Sequence, residues 1–123
     1  MSRSPEDLTP EAREKCLAWK AKCIEGGLLV RITETYRSQA RQNELFAQGR
    51  TTPGRIVTWT RNSRHTQRKA WDFAVLNKDG TLNWEYEAYR KPAEMAVILG
   101  LEAGFYWQKP DAPHIQLLDE QGG

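Results

Sequence analysis

The sequence predicts an α+β fold, a small antiparallel sheet with flanking helices, forming one domain over residues 1–123. Three observations carry this prediction. Helical and strand signals mix along the chain rather than alternating regularly, as a doubly wound parallel sheet would require. One long segment repeats its apolar residues at helical spacing, and other segments are short, compact and partly β-branched. A chain of 123 residues has room for one hydrophobic core and buries roughly two-thirds of its unfolded surface without needing disulfides or a metal.

The elements follow in order. Thr9 is suited to cap a first helix, with Pro10 at its first position and Glu11 at its positive end. Ala12, Cys16, Trp19 and Cys23 form its apolar stripe, and Gly26-Gly27 ends it. The run Leu-Leu-Val-Arg-Ile-Thr at 28–33 predicts a strand. Ser38 caps a second helix through Gln42, Leu45 and Phe46 to near Gly49. Residues 51–64 read as loop, punctuated by Pro53-Gly54, with a short strand predicted at 56–59. Residues 70–76 predict another strand, closed by the turn Asn77-Lys78-Asp79-Gly80. A third helix is expected at 92–99, ending at Gly100, and a last short strand at 115–118. Gln121-Gly122-Gly123 is expected to fray.

Composition narrows the function classes. The chain is 39% hydrophobic and 28% charged, which fits a globular domain rather than a disordered one. No apolar run approaches the roughly 20 residues that span a bilayer, so no membrane partner is expected. The first 14 residues contain no signal-peptide-like apolar run. The net charge of +2 is too small to argue for nucleic acid. A local concentration exists, however: Arg50, Arg55, Arg61, Arg64, Arg68 and Lys69 occur between positions 50 and 69 with no acidic residue among them. Such a stretch suits an anionic partner, including a polymer with free carboxylates. Cys16 and Cys23, seven apart in one helix, are separated by about 10 Å along its axis. That exceeds disulfide reach, so both are expected to be free and buried.

The chemistry concentrates around two histidines. His65 follows Ser63-Arg64, and Asp72 interrupts Ala70-Trp71-Asp72-Phe73-Ala74. Strand alternation puts Trp71, Phe73 and Val75 on a core face and Asp72 on the other, among small residues. His114 and Gln116 similarly oppose Ile115 and Leu117. Two imidazoles and one carboxylate are a complete protein ligand set for catalytic zinc, leaving a fourth position for water whose pKa falls to roughly 7. Asp111 is then a candidate base and Arg37 a candidate source of positive charge for an oxyanion. Spacing alone leaves a second reading open, in which both histidines and the aspartate are hydrogen-bonded structural residues.

Three blocks resemble the M15 family of zinc peptidases, which includes D-alanyl-D-alanine carboxypeptidases and phage-type L-alanyl-D-glutamate endopeptidases (endolysins). They are Thr35-Tyr36-Arg37-Ser38 with Gln42, Leu45-Phe46 and Gly49-Arg50-Thr51; Ser63-Arg64-His65 through Ala70-Trp71-Asp72-Phe73; and Trp107 followed by Asp111-Ala112-Pro113-His114-Ile115-Gln116. The resemblance covers about residues 33–117 and implies a Hedgehog/DD-peptidase-like fold. It implies Zn2+ held by His65, Asp72 and His114, with Asp111 as the proton-transferring carboxylate and Arg37 steadying the carbonyl. It also implies Ser63, Gln42, Trp107 and Gln116 at the substrate, Gln116 alternatively orienting a ligand. The expected function is cleavage of the L-Ala–D-Glu bond in the peptidoglycan stem peptide by a bacteriolytic monomer, made in the cytoplasm without a signal peptide and released to the wall. The alternative within the family is a D,D-carboxypeptidase or dipeptidase acting on D-Ala-D-Ala. A single-strand nucleic-acid binder built on the basic stretch with Trp59 and Trp71, and a catalytically dead wall-binding module, fit the residues less well. Three departures stand out: Arg68 where the family usually has Gly, Ala103 and Phe105 where it tends to have Trp and Gly, and a shortened turn from Trp107 to Asp111.

Overall fold

The structure of the chain, a computed structural model, describes residues 2–58, 60 and 63–118. The expected Gln121-Gly122-Gly123 tail, Trp59 at the end of the expected 56–59 strand, and Arg61 of the basic stretch lie outside the described residues. Helix α1 spans Pro10–Glu25. Thr9 Oγ1 accepts from the Ala12 backbone N–H at 3.2 Å, and Gly27 at φ +80° turns the chain out of the helix. Strand β1 (Val30–Glu34) follows. Helix α2 (Gln39–Ala47) is capped by Ser38 Oγ, which accepts from Arg41 N–H.

After the loop come β2 (Ala70–Leu76), β3 (Leu82–Asn83), α3 (Arg90–Ile98), β4 (Leu101–Ala103) and β5 (His114–Leu117). Short 3-10 turns at Pro5–Asp7, Tyr86–Tyr89 and Gly104–Tyr106 complete the chain. The sheet runs β1-β2-β5-β4, antiparallel throughout, and β3 adds to β2. The fold class read from the sequence is therefore the one observed.

Three features depart from the sequence reading. Residues 56–58 form no strand; Ile56 and Val57 are exposed and have no sheet to join. The third helix begins two residues earlier than expected, at Arg90, because it continues directly from the Tyr86–Tyr89 turn. Strands β3 and β4, of two and three residues, were not foreseen.

The core lies on one face of the sheet. Ala12, Cys16, Trp19 and Cys23 are all fully buried, and Trp19 packs against Trp71 and Phe73. Its indole N–H donates to the Pro92 carbonyl at 2.9 Å, joining α1 to α3. Cys16 and Cys23 are free, and burial pushes their thiols up to about 12 and about 11. The opposite face of β2 and β5 carries the polar residues that concern the rest of the molecule.

Candidate active site

The site is built by strand register. Asp72 in β2 stands directly opposite His114 in β5, and Ala70 stands opposite Gln116. On the other edge of β2, Val30 and Ile32 pair with Val75 and Phe73 on the core face. Unbroken alternation would then put Thr33 opposite Asp72 and turn Glu34 toward the core. A bulge between Ile32 and Glu34 adds one residue to β1, so Glu34 is the residue opposite Asp72. Glu34, Asp72 and His114 thus form one row across three strands.

His65 enters from the turn that follows Ser63. Ser63 Oγ accepts from the His65 backbone N–H at 3.1 Å, and the Ser63 carbonyl accepts from Thr66 N–H and Oγ–H. Arg68 closes this turn at φ +61°, the left-handed geometry that glycine adopts easily. Arginine accepts the geometry, its guanidinium lying 4.0 Å from the Tyr36 ring centre and donating to the Asp7 carbonyl at 3.1 Å.

His65 Nε2 and His114 Nδ1 each lie 3.1 Å from the same oxygen, Asp72 Oδ1. One ligating atom from each of the three residues falls within 4.8 Å of the others. The far ring nitrogens are also occupied: His65 Nδ1 is 3.1 Å from the Thr35 carbonyl and His114 Nε2 is 2.8 Å from Gln116 Oε1. Both partners are acceptors, so each outer nitrogen donates an N–H to them and fixes its ring with the inner nitrogen facing Asp72 Oδ1. Two imidazoles held in orientation and a carboxylate fit a divalent ion well. Burial raises the Asp72 carboxyl, but the hydrogen bonds from His114 and His65 outweigh it and hold Asp72 below the usual carboxylate range. Burial lowers His114, and the Asp72 hydrogen bond and charge more than reverse that.

The remaining expected residues surround this group. A cleft of about 780 Å³ is lined by Arg37, Ser63, His65, Asp72, Trp107, Asp111, His114 and Gln116 among others. Asp111 Oδ2 is 4.0 Å from His114 Nδ1, and its side chain is 54% exposed. Desolvation in the cleft and the nearby Asp72 charge raise its carboxyl. Trp107 donates its indole N–H to Glu102 at 2.7 Å and packs beside His114.

Arg37 donates from Nε to Glu34 Oε2 at 3.0 Å, from Nη2 to Glu34 Oε1, and from Nη1 to Gln42 Oε1 at 2.7 Å. Gln42 is fully buried and does not line the cleft, so its place is behind Arg37 rather than at a substrate. Its amide donates onward to the Thr60 carbonyl at 2.6 Å. Gln116 lines the cleft but spends its Oε1 on His114. Sequence reasoning missed Glu34 and Thr35. The signal for Thr35 is nil, since its carbonyl does the work; Glu34 could have been flagged only as a carboxylate three residues before Arg37.

No protein-family model matches the chain. Its sequence is 37% identical over 126 residues to the peptidoglycan L-alanyl-D-glutamate endopeptidase CwlK of Bacillus subtilis (strain 168), covering 93% of this chain and 75% of that protein. Its structure is similar to the L-Ala D-Glu endopeptidase ChiX of Serratia marcescens, with a TM-score of 0.74 and 25% identity over 95% of this chain and 87% of that one. The LD-carboxypeptidase LdcB matches with a TM-score of 0.68 over 94% of this chain and 61% of that one; at 16% identity it speaks for the fold alone.

Proposed function

The chain belongs to the M15 family of peptidases, and on that premise we propose that it is a zinc-dependent endopeptidase hydrolysing the L-Ala–D-Glu bond of the peptidoglycan stem peptide. The observation that carries this reading is the convergence of His65 Nε2, His114 Nδ1 and the Asp72 carboxylate within 4.8 Å, each imidazole oriented from behind. Three protein ligands of this kind leave an open coordination position, as catalytic sites do and closed structural sites do not.

A zinc ion held by His65, Asp72 and His114 would acidify water and polarise the scissile carbonyl. The chain's own residues do the rest. Asp111, with its raised carboxyl pKa, accepts a proton from the attacking water and returns it to the leaving amine of D-Glu. Arg37 is held by Glu34 and Gln42 and offers fixed positive charge to the carbonyl oxygen as it becomes an oxyanion. Trp107 walls the cleft against His114, and Ser63 holds the turn that presents His65.

We read residues 1–123 as one catalytic domain that acts as a monomer. A bacteriolytic, endolysin-type use, with passage to the wall after synthesis in the cytoplasm, rests on the Gly49-Arg50-Thr51 block and belongs to the same proposal. Among the described residues no helix is long and apolar enough to cross a membrane. The test is digestion of purified peptidoglycan followed by mass spectrometry. New N-terminal D-Glu residues are expected; released D-Ala without them would replace this reading with the carboxypeptidase one.

A further inference from the structure

Hydrolysis of an amide gives the cleft two sides. The leaving amine must come within reach of Asp111, which returns a proton to it, so D-Glu lies toward the 107–111 loop. The L-Ala residue, across the scissile carbonyl, lies away from that loop. There the cleft is lined by Leu45 of α2 and by Val57, Thr58 and Thr60, besides Arg37 and the turn that bears His65. Leu45 and Val57 are the aliphatic members of this side; the other apolar residues lining the cleft, Trp107 and Pro110, belong to the 107–111 loop.

The segment carrying Val57 is built onto α2. Gly49, at φ +81°, lets it approach closely, since a Cβ there would lie 2.8 Å from the Ile56 backbone nitrogen. Gln48 Nε2 donates to the Arg55 carbonyl at 3.0 Å, and Arg50 Nη2 donates to the Thr58 carbonyl at 3.1 Å. The buried Gln42 amide donates to Thr58 Oγ1 at 3.3 Å and to the Thr60 carbonyl at 2.6 Å, while its Oε1 accepts from Arg37 at 2.7 Å. One side chain therefore ties both the neighbour of Val57 and the Arg37 guanidinium to the same point of α2. Leu45 lies three residues further along that helix and is half-buried. Val57, although its backbone is held on both sides, is 55% exposed. An aliphatic side chain fixed in place and left uncovered beside Arg37 offers surface that a small apolar group can take from water.

We propose that Leu45 and Val57 form the acyl-side subsite that receives the methyl of L-Ala, held in register with Arg37 through Gln42. This rests on the endopeptidase reading. It makes the pair a determinant of which residue precedes the scissile bond, and gives Gly49 and Arg50 the task of seating the segment that carries Val57.

The test uses the zinc-loaded protein and three synthetic peptides, N-acetylated L-Ala–D-Glu–L-Lys and its counterparts with Gly or L-Ser in place of L-Ala. The wild type should cleave the L-Ala peptide with kcat/KM about tenfold above the Gly peptide, as one methyl in an apolar site implies, and should also prefer it to the L-Ser peptide, whose hydroxyl resists burial. Val57→Thr, which exchanges a methyl for a hydroxyl, should narrow the L-Ala to L-Ser ratio. Leu45→Ala/Val57→Ala should bring the L-Ala to Gly ratio close to one. Reading ratios within each variant removes any change in folding or zinc content, and the comparison with wild type removes the intrinsic difference between the peptides. A wild type that cuts the L-Ala and Gly peptides equally, or a preference undiminished in the double variant, overturns the subsite. Cleavage of none of the peptides, with released D-Ala from whole peptidoglycan, would instead overturn the endopeptidase reading beneath it.

Discussion

Replacing Arg68 separately with Gly and with Ala isolates the backbone strain beneath the ligand-bearing turn. Both changes delete the same side chain, which rests on Tyr36 and donates to the Asp7 carbonyl. An exposed cation–π contact is worth about 0.5–1 kcal/mol and a hydrogen bond about as much. Arg68→Ala should therefore cost about 1–2 kcal/mol. Only Ala still pays to hold φ near +61°, about 1–2 kcal/mol for an L-residue. Glycine's freer unfolded chain returns about 0.4–1 kcal/mol of that difference. Arg68→Gly should accordingly be the more stable of the two by about 0.5–1 kcal/mol. Urea unfolding followed by tryptophan fluorescence reads this as a higher midpoint at unchanged slope. An Ala variant at least as stable as the Gly variant would show that position 68 does not hold the left-handed conformation.

Further outcomes concern the site. His65→Ala, Asp72→Ala and His114→Ala should each abolish retention of zinc on elemental analysis, whereas Asp111→Ala should retain zinc and lose about a hundredfold or more in kcat. Gly104→Ala would put a methyl 2.3 Å from the Asp111 carbonyl oxygen; backbone must move, so turnover should fall with Asp111 displaced while zinc is kept. Gln116→Ala frees the outer nitrogen of His114 and should weaken zinc binding about tenfold to a hundredfold in chelator competition. Cys16 and Cys23 should resist thiol reagents at pH 8 until the protein unfolds. Their thiols are pushed up to about 12 and about 11 in the fold, above the value of 9.0 that stands for the unfolded chain. The contribution is thus fully present below pH 9 and is lost as pH rises through 11 to 12, which alkaline denaturation curves of the wild type and a Cys16→Ala/Cys23→Ala variant would reveal.

What the sequence discloses depends on whether a residue's role is set locally. Helix α1 is legible because Thr9, Pro10 and a four-residue stripe act within one helix. Asp72 is legible because β2 alternates cleanly about Trp71 and Phe73, and the faces assigned to His114 and Gln116 follow by the same rule. Strands β3 and β4 are too short to display a period and exist only by pairing with β2 and β5. Glu34 was hidden because its face is decided by a bulge, which breaks the alternation that sequence reading relies on. Gln42 was expected at the substrate because α2's polar and apolar residues do not say which of them Thr58 and Thr60 will meet.

The row Glu34–Asp72–His114 has a consequence for how the molecule matures. Side chains on a strand change face with every residue, so pairing β2 with β5 one step out of place would send His114 to the side occupied by Trp71. A misaligned sheet would have no seat for the ion at all. Zinc uptake during refolding would then act as a proofreader, drawing the population toward the one alignment able to hold it.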